Sequence, residues 1–70
     1  MERVKIYYDR DGNTLTVWFG DPTRECVCEE TGDEVVLMKD DEGRVIGFEK
    51  LNFSATASAH LDVAFEAIGA

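Results

Sequence analysis

Cys26 and Cys28 form a C-x-C pair, the only thiols in a chain of 70 residues. In an extended strand, residues i and i+2 share a face with their Cα atoms about 6.5–7 Å apart. That spacing is at or beyond the usual reach of a disulfide, so an internal bridge would distort the backbone. A structural zinc site needs four ligands, usually from closely spaced cysteine knuckles. Here two thiols and one histidine, His60, are available, and the spacing is wrong. A pair from each subunit of a dimer would supply four thiolates, so Cys26 and Cys28 stand as weak metal candidates only. The plainer expectation is two small side chains buried on a sheet face.

Ser58, His60 and Asp62 alternate in sequence and invite comparison with a catalytic triad. On a helix each step of two residues turns about 200°, so the three side chains diverge. A lone histidine with no orienting partner at helical spacing is expected to face solvent or to be satisfied locally. Asp9-Arg10-Asp11-Gly12-Asn13 and Asp40-Asp41-Glu42-Gly43 superficially resemble calcium loops. A helix-flanked calcium loop places glycine at its sixth position and a bidentate glutamate at its twelfth, and neither segment fits. Both read as turns whose acidic residues suit the turn geometry. No catalytic residue and no cofactor is assigned.

The elements that carry these residues are mostly strands. Residues 4–8 alternate, with Val4, Ile6 and Tyr8 on one side and Lys5 and Tyr7 on the other. After the turn at residues 9–13, residues 14–19 place Leu15, Val17 and Phe19 on one face and Thr14, Thr16 and Trp18 on the other. This period of two in β-favouring residues predicts a hairpin. Gly20-Asp21-Pro22 breaks the second strand, because proline has no amide to donate inside a ladder. Residues 24–30 predict a weaker, edge-like strand, and residues 34–39 a strand whose Val35-Val36-Leu37-Met38 run can be buried on both faces. Residues 44–53 predict a long last strand, with Gly47 marking a bulge or a close backbone approach.

From Thr56 onward, Leu61, Ala64, Phe65 and Ile68 recur at three- and four-residue spacing. That stripe predicts a helix, capped by Ser54, Thr56 or Ser58 and ended at Gly69. The expected architecture is therefore α+β: one domain over residues 1–70, an antiparallel β-meander of about five strands with one C-terminal helix packed on a sheet face. A single helix covers only one face. Tyr7, Thr16 and Trp18 lie opposite the stronger apolar set, and they are the expected interaction face.

Three stretches carry a family resemblance: Val4-Lys5-Ile6-Tyr7-Tyr8-Asp9, Thr14-Leu15-Thr16-Val17-Trp18-Phe19-Gly20-Asp21-Pro22, and Asp40-Asp41-Glu42-Gly43-Arg44-Val45-Ile46-Gly47-Phe48-Glu49. The pattern resembles the small prokaryotic proteins grouped as domain of unknown function 2283. Their shared features are a Lys-Ile-x-Tyr-Asp opening, a hydrophobic second strand, and a closing Asp-x-x-Gly-x-(Val/Ile)-(Val/Ile)-Gly-(Ile/Phe/Leu)-Glu segment. The likeness covers residues 4–53, and the closing segment is its most specific part. It implies no activity, substrate or catalytic residue. An antitoxin-like role, of the kind suggested for some small bacterial proteins, is analogy.

Fifteen acidic residues against seven basic ones give a net charge of -8, densest at Glu25, Glu29, Glu30, Asp33 and Glu34. Such a field repels phosphate backbones and anionic bilayers, so neither nucleic acid nor membrane is an expected partner. A chain this short buries only about 60% of its unfolded surface, and small domains commonly gain stability by pairing. A homo-oligomer is expected. No leader is read before Val4, and a cytoplasmic location is the default. The leading functional expectation is a non-enzymatic protein-interaction module. The alternatives are an acidic, antitoxin-like partner that neutralises a basic protein, and a metal or ligand binder assembled across subunits.

Overall fold

A computed structural model describes residues 3–54 and 61–69. Five strands form one antiparallel sheet: β1 (Lys5–Asp9), β2 (Thr14–Trp18), β3 (Val27–Glu30), β4 (Val35–Lys39) and β5 (Val45–Lys50). The expected hairpin forms from β1 and β2, with Ile6 opposite Val17 and Tyr7 opposite Thr16. Its turn forms because the Asp9 carboxylate accepts from the amides of Asp11 and Gly12, while Asn13 adopts a φ of 52°. Asparagine is among the few residues that tolerate that left-handed conformation.

The strand order is β1-β2-β5-β4-β3, so the simple meander is corrected. β5 inserts between β2 and β4, and β3 becomes the far edge. Strands β2 to β5 thus stand in a Greek-key relation, with three hairpin-linked strands and a fourth reached by the longer connection. Asp21 caps a 3-10 turn at Pro22–Arg24, its side chain accepting from Thr23 N. This turn takes up Arg24, the first residue that the alternation assigned to a strand, and β3 starts only at Val27. The crossing is tied to the far hairpin by Cys26 N donating to Lys39 O and by the Arg24–Asp41 ion pair, both beside the β4–β5 turn.

The C-terminal helix is also corrected. Among the described residues the one helical piece is the 3-10 turn, and residues 61–69 have no regular secondary structure. Val63, Phe65 and Ile68 are exposed there, Phe65 by 88% and Ile68 by 92%. A short segment pays its nucleation cost only when a packed face rewards it, and here its apolar residues face solvent. The proposed caps Thr56 and Ser58, and His60, lie outside the described residues.

Gly47 sits where the backbone must come close. A Cβ there would stand 2.7 Å from Val17 O and 2.8 Å from Trp18 Cε3, so Trp18 lies over a position only glycine fills. The ladder slips beside it, with Met38 opposite Gly47 and Lys39 opposite Val45, leaving Ile46 as the extra residue of a bulge. Met38 and Ile46 are the only buried apolar residues among those described. The core is thin.

Candidate functional site

The register sorts the side chains onto two faces. One carries Ile6, Tyr8, Leu15, Val17, Val35, Leu37 and Phe48, with Lys39, Lys50, Val27 and Glu29 towards its margins. The other carries Lys5, Tyr7, Asp9, Thr14, Thr16, Trp18, Val36, Met38, Glu49, Cys28 and Glu30. Neither face is a closed core. On the apolar face Ile6 is 44% and Val27 51% exposed, at opposite edges of the sheet, and on the mixed face Tyr7 is 54% exposed.

Tyr7, Thr16 and Trp18 share the mixed face, as the alternation predicts. Their engagement differs. Trp18 is half-buried over Gly47, and Thr16 donates its hydroxyl to Glu49 Oε2 at 3.4 Å. Tyr7 alone presents most of its surface to solvent. Ile6, which the alternation places with the apolar set, is open to solvent as well, and so is Val27. Their exposure follows from the uncovered face and from their place on the edge strands β1 and β3, the latter signalled by the edge-like pattern of residues 24–30.

Electrostatics also separates the faces. Lys39 pairs with Glu29 and Lys50 with Glu34, so the charges bordering the apolar face compensate one another. The mixed face carries Asp9, Glu30 and Glu49 against Lys5. Within the strands the acidic excess therefore lies on the mixed face.

The two cysteines do not occupy the buried sites expected of them. Both are exposed, and only Cys28 lies within a strand, opposite Met38. Cys28 Sγ donates to Glu25 Oε2 at 3.0 Å, and this bond with the neighbouring carboxylate pushes the thiol pKa up. A metal ligand or nucleophile needs the opposite bias. Among the described residues no three histidine, cysteine or acidic side chains converge as a metal site.

A shallow cleft of about 320 Å³ opens between the crossing connection and the β4–β5 turn, lined by Phe19, Gly20, Asp21, Arg24, Asp40, Arg44, Val45 and Ile46. Each ionised group in it is engaged. Arg24 holds Asp41, and Arg44 holds Asp40 and Glu42. Asp21 accepts from the amide and hydroxyl of Thr23. Asp40 is buried, and its carboxylate accepts from the amides of Glu42 and Arg44 at 2.9 Å and from Arg44 Nε at 3.2 Å. The backbone bond from Arg44 is the main reason its pKa lies below the usual carboxylate range. This is the brace of a hairpin turn, completed by Gly43 at a φ of 80°. Among the described residues no helix is long and apolar enough to cross a membrane.

Residues 5–54 match the family described as "Protein of unknown function (DUF2283)". The chain belongs to this family. No curated protein and no solved structure matches it. The DUF2283 match starts at the first residue of β1 and stops at Ser54, which the turn residue Asn13 holds by side-chain hydrogen bonds. The closing segment of the DUF2283 pattern is accounted for by architecture: Asp40 braces the turn, Gly43 takes its left-handed φ, Gly47 admits Trp18, and Glu49 accepts from Thr16.

Proposed function

We propose that this DUF2283 chain is a non-enzymatic interaction module whose working surface is the sheet itself and whose first partner is a second copy. The observation that carries this reading is the openness of the sheet. On its strands Ile6 is 44%, Tyr7 54% and Val27 51% exposed. No large side chain among those described is fully buried. Apolar residues left this open on a small domain are the ordinary mark of an association surface. The charge pattern supports a second copy over an anionic partner: two chains of net charge -8 repel as whole bodies, but not through a face whose lysines and glutamates are paired.

A second reading, capture of a basic protein, is favoured by the exposed Glu25, Glu29 and Glu30 around β3. Ionic strength separates the two. Light scattering on the full chain is expected to give twice the 7.8 kDa chain mass, with association strengthening as salt screens the mutual repulsion. Binding to a basic protein would weaken with salt. A monomer at every salt and protein concentration would remove the self-association reading.

A further inference from the structure

We infer that the partner copy contributes its C-terminal segment, residues 61–69, to the apolar sheet face, so that two copies exchange these segments reciprocally. This rests on reading the sheet as a self-association surface, and it names what lies on it. The segment presents Val63, Phe65 and Ile68 to solvent, exposed by 59%, 88% and 92%, so its own sheet does not take them up. The apolar face leaves Ile6 and Val27 about half open, by 44% and 51%.

Charge selects this face over the other. The segment carries Asp62 and Glu66 and no basic residue. On the mixed face it would meet Asp9, Glu30 and Glu49 against Lys5 alone, whereas on the apolar face Lys39 and Lys50 are balanced by Glu29 and Glu34, which makes that face the less repulsive of the two. Area points the same way. Five strands of about five residues give a flat footprint of only about 400 Å², while a stable interface buries about 800 Å² on each partner. Even with side-chain relief added to that projection, the sheet face alone is a small interface, and the apolar segment enlarges it. Exchange between two identical chains gives a closed twofold dimer in which each face receives one segment.

The test uses full-length chains and sedimentation equilibrium. A face variant, Ile6→Asp, and a segment variant, Phe65→Asp/Ile68→Asp, are each expected to raise the dimer dissociation constant about tenfold or more. Val27→Asp serves as a second face variant should Ile6→Asp fail to give native circular dichroism. Mixing a face variant with the segment variant is expected to restore dimers of intermediate affinity, because the intact segment of one meets the intact face of the other. A segment variant that stays as dimeric as the parent while the face variant dissociates would overturn the exchange and leave sheet-mediated pairing standing. Two monomeric variants that gain nothing on mixing would place the segment on its own sheet and overturn the exchange too. A parent chain that is monomeric throughout would overturn both.

Discussion

Asn13 and Ser54 lie 41 positions apart, and their side-chain and backbone groups clamp the β1–β2 turn to the point where the chain leaves the sheet. Asn13 Nδ2 donates to Ser54 O at 2.7 Å, and Asn13 Oδ1 accepts from Ser54 N at 3.2 Å and Ser54 Oγ at 3.1 Å. The main chain adds Phe53 N donating to Asn13 O at 2.9 Å, beside an edge-to-face contact of Phe53 with Tyr8 at 5.8 Å. One side chain thus fixes where the chain leaves the sheet. Asn13→Gly keeps the left-handed backbone accessible and removes only the clamp. It is expected to cost about 1–2 kcal/mol, read as a lower urea midpoint with an unchanged slope.

Gly47 is the most demanding backbone position. Gly47→Ala places a methyl against Val17 O, which cannot move without breaking the β2–β5 ladder. The expected loss is about 2 kcal/mol, with a change in Trp18 fluorescence because the indole is displaced. At Gly20 the added methyl would meet the Ile46 side chain, so Trp18 fluorescence serves to separate the two variants.

Sequence patterning resolved the strands and their two faces, because a period of two in Val4 to Tyr8 and in Thr14 to Phe19 has one structural solution. It did not resolve neighbours. Alternation says which face a residue occupies and nothing about which strand lies beside it. The signal for the crossing was the connection from β2 to β3, longer than any other and broken by Pro22. The tail misled for a specific reason. Leu61, Ala64, Phe65 and Ile68 fit a helical stripe, yet Leu61, Val63 and Phe65 alternate equally well, and a stripe without a packed face does not secure a helix. The Asn13–Ser54 clamp could not be read, since nothing local in either residue names the other.

Acid should weaken the fold through Asp40. Its folded pKa is depressed, mainly by the Arg44 amide, so its contribution is fully present above the usual value of about 3.9 and is lost as pH falls through the folded value. Asp21 adds the same sign through the Thr23 hydroxyl. Asp40→Asn is expected to melt lower than the parent at neutral pH. The gap should narrow below about pH 4, as thermal melts across pH will report.

Cys28 should behave as a sluggish thiol. The Glu25 carboxylate holds its pKa up, so Glu25→Gln is expected to accelerate alkylation of Cys28 at neutral pH and to leave Cys26 unchanged. Peptide mass analysis of iodoacetamide-treated protein separates the two sites.

Methyl NMR of the isoleucine-, leucine- and valine-labelled chain, followed on dilution from millimolar to micromolar, addresses the open sheet most directly. Ile6, Val27 and Leu37 are expected to shift and broaden together as the complex dissociates, while Val36 on the mixed face stays put. Resonances of these three residues that hold constant across the whole dilution would contradict a sheet that works by meeting its own copy.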